Sequence, residues 1–317
     1  MSGSAVLSIG EVLWDMFPDA ECFGGAPANL ACQAALQGAR VLMVTAVGDD
    51  DRGRAAVAML RGFGVEVELV QTLIGRPTGT VGVALDTASR PTFTIHEHAA
   101  WDELAWTDTL AQRVSNVAAV AFGTLGQRSA TTRDTIQRCL RVARDAGIHR
   151  FLDVNLRPPF VSDELIRDSV GLASLLKLSD TELPAVTRAC GLPEPAGPEQ
   201  QLEHFRVAYG IEAVVMTRGP RGAVAATEAG ICDQPGLPTD VVDTVGAGDA
   251  FSAAFLVGWL RGQPLPQLLL QACRHATATC GHAGAVPALP AAAAARLADG
   301  KTSSASPWCH EDNARRH

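Results

Sequence analysis

The chain has 317 residues, 47% of them apolar and 19% charged, with a formal net charge of −8. This composition predicts a packed globular core and argues against a nucleic-acid partner, which would need a basic face. No window approaches the ~18 consecutive apolar residues of a membrane span. Met1 to Leu13 has no basic stretch ahead of its apolar run, so a cytoplasmic protein without a leader or membrane contact is expected.

In chain order, Ala5 to Ile9 is a short apolar run that ends at Gly10 and predicts a strand. Ala28 to Gln37 has helical spacing and stops at Gly38. Val41 to Val47 is nearly continuous in apolar residues, as a strand covered on both faces would be. Asp51 to Arg61 reads as a helix. Ala118 to Phe122, Phe151 to Val154, Ser174 to Leu178 and Ala213 to Met216 read as further strands. Helical stretches lie between most of them, at Ser129 to Asp145, Asp180 to Cys190 and Gln200 to Tyr209. Such alternation predicts an α/β fold: a mostly parallel sheet with helices on both faces.

Two regions break the rhythm. Val12 to Phe23 and Thr80 to His96 look like strands without intervening helices, and Thr92 to His96 alternates as a sheet with one wet face does. They predict a small projecting β-sheet able to cover a cleft. The expected organisation is a discontinuous main domain over residues 1–11, 24–78 and 99–300, a lid over 12–23 and 79–98, and a flexible tail over 301–317. The free edges of the lid sheet favour either closure or a homodimer formed through it.

The eight cysteines are scattered through a long chain, which favours thiols, mostly buried, over a disulfide framework. Cys273-x-His275 and Cys280-x-His282 repeat along a stretch with helical character. Cys and His two residues apart point in different directions there, so a zinc site is not expected.

The segment Asp243-Thr244-Val245-Gly246-Ala247-Gly248-Asp249 precedes a strongly apolar helix from Ala250 to Leu260. Small residues let the backbone turn tightly and approach a ligand. The first amides of a helix point outward at an anion. Asp249 is the unusual residue, and local physics leaves two readings of equal weight. One is an acid that merely favours the helix dipole. The other is a general base beside a phosphoryl group. A dinucleotide fingerprint is disfavoured, because Phe251 stands where the third glycine belongs. Gly300-Lys301-Thr302 is not a Walker loop, since Ala295 replaces its first glycine.

These residues together resemble the ribokinase-like (PfkB) carbohydrate kinases, from Ser8 to about Pro290. The resemblance implies that Asp249 is the catalytic base and that Gly246, Ala247 and Gly248 form an anion hole. Gly10-Glu11-Val12-Leu13-Trp14-Asp15 resembles the family's first strand and turn, which implies that Asp15 binds sugar hydroxyls. Phe23-Gly24-Gly25-Ala26-Pro27-Ala28-Asn29 resembles the fructokinase branch, which implies that Gly24, Gly25 and Asn29 contact the sugar. Asp153-Val154-Asn155-Leu156-Arg157 resembles an element beside substrate and phosphate and places Asn155 and Arg157 there. Met216 to Ala223 resembles the nucleotide segment, with Thr217, Gly219, Gly222 and Gly248 as ATP contacts, and Gly284-Ala285 resembles an adenine-side turn.

The same resemblance implies ATP and Mg²⁺ as cofactors, with Glu182 reaching Mg²⁺ through water. It also allows a monovalent cation, K⁺, on the carbonyls of Asp243 and Val245. Two departures stand out. Ser179 replaces the family's frequent Asn ahead of Glu182, which bears on metal affinity. Ile95 to Asp102 lacks the aromatic–Arg pair of typical fructokinase lids, which bears on the sugar. The expected activity is ATP-dependent phosphorylation of a sugar hydroxyl, with fructose favoured. The alternatives are another sugar, a sugar acid such as 2-keto-3-deoxygluconate, or a non-catalytic sugar-binding regulator.

Overall fold

A computed structural model describes residues 5–85, 91–193 and 197–286. The strands, in chain order, are β1 (Val6–Ile9), β2 (Leu13–Met16), β3 (Glu21–Gly24), β4 (Val41–Gly48), β5 (Glu66–Leu73), β6 (Gly79–Leu85), β7 (Pro91–Ile95), β8 (Ala119–Gly123), β9 (His149–Asp153), β10 (Leu175–Ser179), β11 (Ala213–Thr217), β12 (Ala223–Thr227) and β13 (Gly230–Gln234). The main sheet has the order β13-β12-β11-β10-β9-β8-β1-β4-β5. It is parallel from β5 through β11. The hairpin β12–β13 adds an antiparallel edge.

The apolar runs fall where both faces of this sheet are covered. Every residue of β4 is buried, as are all of β1. Alternate residues feed two cores. One face carries Leu7 and Ile9 and packs on helices Ala130–Asp145, Asp163–Leu172 and Pro198–Tyr209. The other carries Val6 and packs on helices Ala26–Leu36, Asp51–Gly62, Ala247–Leu260 and Leu265–Cys280. Among the described residues no helix is long and apolar enough to cross a membrane.

A second, smaller sheet of order β3-β2-β6-β7 forms over the stretches expected to make the lid. Trp14 is opposite Phe23 and meets it edge-on, with ring centroids 5.8 Å apart. The alternation of β2 sends Trp14 into the core and Asp15 to the other face. Asp50 fixes the chain just ahead of β6: it accepts from Gly53 N at the start of its own helix and from both the amide and hydroxyl of Thr78.

Some expected boundaries move. The helix expected over Asp180 to Cys190 is Leu183–Ala189. Its first three residues form a turn instead, because the Glu182 carboxylate reaches back to the Ser179 amide. The seven described cysteines are thiols, but only Cys32, Cys139 and Cys273 are buried; the other four are half-buried, which corrects the expectation of mostly buried thiols. Among the described residues no cluster of three or more His, Cys, Asp or Glu could hold a metal. The tail over 301–317 lies outside the described residues.

Candidate active site

The expected site residues gather at the carboxyl ends of the parallel strands, where open α/β sheets bind ligands. Glu11 follows β1, Asn155 follows β9, Ser179 ends β10 and Thr217 ends β11. Asn155 has φ 44, a left-handed conformation that turns the chain sharply out of its strand. A small cavity of ≈ 20 Å³ lies between Glu11, Gly123, Thr124, Asp153 and Asn155, enough for one water-sized group.

Helix Ala247–Leu260 begins at Gly246, which has φ 75 and, as a glycine, no side chain to cap the helix. A Cβ on Gly246 would lie 2.5 Å from the Cβ of Ala285, so the glycine loop is pressed onto the Gly284-Ala285 turn. Asp243 ties the two together by accepting from Val245 N at 3.0 Å and Gly284 N at 2.9 Å. The first intrahelical bond is Ala250 N to Gly246 O, while Ala247 N is turned toward Thr244 O at 3.3 Å. The amides of Gly248 and Asp249 precede the intrahelical ladder, where a helix receives anions. Gly246→Ala is expected to cost ~1–3 kcal/mol of stability, from the strained φ and the clash, and to displace the loop. Thermal melting checks the first effect and turnover the second.

Asp249 does not cap its helix. Its Oδ2 accepts from Asn29 Nδ2 at 2.8 Å, across 220 residues of sequence. One N–H of Asn29 is thus given to the carboxylate, and its Oδ1 is buried with no hydrogen-bond partner. Burial first, and the neighbouring Asp153 next, push the Asp249 carboxyl up to about 7, against the pull of Asn29, Lys177 and Arg157. A carboxylate held at that value can accept a proton at neutral pH.

Two more carboxylates share this environment. Burial raises Asp15 to about 6, with Arg157 opposing. Asp15 also backs onto Gly24, where a Cβ would lie 2.9 Å from its Oδ2. Glu11 is 3% exposed and burial raises it to about 7. Its Oε2 has no partner. Arg157 is exposed and opposes the shifts of all three. Gly25 has φ 104, and a Cβ there would meet the Glu11 carbonyl at 2.5 Å, so only glycine lets these two segments touch.

Glu182 is held by the chain itself. Its Oε1 accepts from Leu156 N at 2.7 Å and its Oε2 from both the amide and hydroxyl of Ser179 at 2.8 Å. Ser179 therefore positions Glu182 with a shorter side chain than Asn. On the nucleotide side, Gly219 has φ 56 and faces open space. Gly222 differs: a Cβ there would lie 2.6 Å from Gly236 N, so the chain after β13 demands the glycine whatever the ligand does. Thr217 Oγ1 is 3.5 Å from Leu178 O.

Three residues were not singled out from sequence. Lys177 and Ser252 sit beneath the glycine loop on Asp153. Arg128 lies against the Ile95 to Asp102 segment. It donates to His96 O and to both oxygens of Asp102, and stacks 3.9 Å from the Trp101 ring centroid. Its charge is neutralised by Asp102, so it braces the lid junction and brings no net charge to the cleft. A lone Lys inside Leu175 to Leu178 and a lone Ser inside the apolar helix were the available signals.

A mostly parallel sheet with helices on both faces, a glycine-opened helix start at its strand ends and a smaller second sheet that carries the half-buried Asp15 define a ribokinase-like fold. Residues 20–292 match the pfkB family carbohydrate kinase model, and the chain belongs to that family. It is 29% identical to "Probable fructokinase-5" of Arabidopsis thaliana, over 92% of this chain and 96% of that protein. It is 32% identical to 2-dehydro-3-deoxygalactonokinase of Haloferax volcanii, over 77% of each. The structure of fructokinase from Vibrio cholerae O395, in fructose, ADP and calcium ion bound form, superposes with TM-score 0.76 at 26% identity, covering 93% of this chain and 99% of that one.

Proposed function

We propose that this carbohydrate kinase transfers a phosphoryl group from ATP to a hydroxyl of a neutral sugar, with fructose the first substrate to test. The observation that carries the reading is the Asn29–Asp249 hydrogen bond. It joins the glycine segment of the sugar side to the first turn of the helix on the phosphate side. Asp249 takes the proton of the attacking hydroxyl. The amides at Gly246 to Gly248 receive charge on the transferring group, where fixed dipoles need no reorganisation. Asp15, Gly24, Gly25, Asn29, Asn155 and Arg157 orient the sugar, and Thr217, Gly219 and Gly222 border the nucleotide.

The donor set suits Mg²⁺ carried mainly by phosphate and water, since Mg²⁺ seldom needs an all-protein cage. Glu182 would hold it through water, and the bound ion would neutralise charge on the phosphates. A monovalent cation at the Asp243 and Val245 carbonyls belongs to the same proposal, and potassium titration of the rate tests it.

A neutral sugar is favoured over a sugar acid by charge. Asp15, Glu11 and Asp249 face the site against one exposed guanidinium, Arg157. The Haloferax relative's name keeps the sugar acid as the second reading. ADP release across fructose, ribose, glucose and 2-keto-3-deoxygluconate separates them. Fructose is expected to give the highest kcat/KM; a sugar acid in first place would reverse the substrate assignment. Silence with every sugar despite sugar binding would favour a regulator.

A further inference from the structure

We propose that Asp153 and Lys177 are positioning residues that clamp the first turns of the Asp249 helix from below and hold its carboxylate ready to accept a proton. The proposal rests on the kinase reading above. Asp153 ends β9, and Lys177 is its register partner on β10. Lys177 Nζ lies 3.0 and 3.1 Å from the two oxygens of Asp153. Ser252 Oγ donates to Asp153 Oδ2 at 2.7 Å. Ser252 lies three residues after Asp249, one turn along the same helix face. A Cβ on Gly248 would stand 3.3 Å from Lys177 Nζ, so the ammonium lies directly under the glycine loop. The two strand ends therefore grip the helix at its loop and at its second turn.

Stability alone gives little reason for this pair. Its side chains are 8% and 9% exposed. A buried ion pair often contributes no more than a well-packed apolar pair of similar volume. Its two charges do act on Asp249 in opposite senses: Asp153 raises the carboxyl and Lys177 lowers it. Lys177 stays protonated because Asp153, Glu182 and Asp249 together outweigh its burial. The other groups facing Asp249 are Arg157, which lowers it, Asn29, which donates to it, and Glu11, whose own carboxyl Asp249 raises.

The test compares Asp153→Asn, Lys177→Met and the double variant Asp153→Asn/Lys177→Met with the wild type. Asp153→Asn keeps an acceptor for Ser252 and leaves Lys177 facing Asp249. The acidic limb of kcat/KM should move down by about one pH unit, the smaller end of the effect of a nearby charge. Lys177→Met should move it up, with kcat at pH 6.5 (the chosen assay pH, about half a unit below the Asp249 value) reduced more than KM is raised. The double variant lacks both charges and should return the limb toward the wild-type position. A ¹³C titration of the Asp249 carboxyl in ligand-free protein, assigned by its loss in Asp249→Asn, should show the same opposed shifts without turnover. Folded single variants whose profile and carboxyl titration both stay in place would overturn the proposal and leave the pair a structural one. If Lys177→Met does not fold, Asp153→Asn and the double variant decide alone. A wild type silent with every sugar would overturn the kinase reading instead, and the carboxyl titration would still judge the pair.

Discussion

Asp249→Asn is expected to lower kcat by ~10²–10⁴, the usual worth of a positioned general base, while leaving the fold intact. Asn has the same shape and still offers an oxygen to Asn29 Nδ2, so the bond between the two halves of the site survives. It also removes a buried charge that desolvation opposes. The acidic limb of the rate profile, set near 7 by this carboxyl, should vanish with it. A coupled ADP assay from pH 5 to 9, a range of about two units either side of that limb, measures both effects. A variant retaining wild-type turnover would remove Asp249 from the mechanism, and a return to the cap reading would follow.

The second large effect is on stability. Asp249 and Glu11 are both raised to about 7 by burial, and Asp15 to about 6, from ordinary values of 3.8 for Asp and 4.5 for Glu. Each folded carboxyl therefore holds its proton where the unfolded chain has released it. The contribution is fully present below the unfolded value and is lost as pH rises through the folded one. Stability should fall between about pH 4 and pH 7, on the order of a few kcal/mol in all. Each pH unit separating a carboxyl's folded and unfolded values is worth about 1.4 kcal/mol, and the three groups interact. Denaturant midpoints at pH 5 and pH 8, about one unit inside and outside that window, should differ in that sense. Asp249→Asn and Glu11→Gln should each flatten the difference and exceed the wild type in stability at pH 8. A wild type equally stable at both would mean these carboxyls are better solvated than their burial implies. On the proposed mechanism, such a fall would be the stability cost of a proton acceptor at this site.

Much of the frame was legible because parallel strands covered on both faces read as apolar runs. Val41 to Val47 became β4 almost residue for residue. The second sheet was legible in part: Thr92 to His96 alternates and does form a strand, but Phe93 is 53% exposed, so the alternation did not report one covered face. The two ends of the main sheet were not legible. β5 mixes Glu66 and Glu68 into its length, β12 is rich in alanine, a poor strand former, and β13 is largely exposed. In the site, the motif glycines were visible and the structure explains several by contact, such as Gly25 on Glu11 and Gly246 on Ala285. Glu11 was read only as part of a turn, because its burial depends on segments distant in sequence. The same holds for Lys177, whose partner Asp153 is 24 residues away. Local pattern reports which residues are unusual; only the fold reports which of them meet.

The bond from Asn29 to Asp249 also bears on how the protein is made. The first partner is synthesised near the start and the second only after most of the chain. Helix Ala26–Leu36 must wait, one apolar face uncovered, for helix Ala247–Leu260 to close over it. On the proposed mechanism, a nascent chain short of that helix lacks its base and is expected to be inactive. Activity should therefore arise in a single late step of synthesis, and any chaperone dependence should centre on the waiting N-terminal helix, whose surface is buried in the finished molecule.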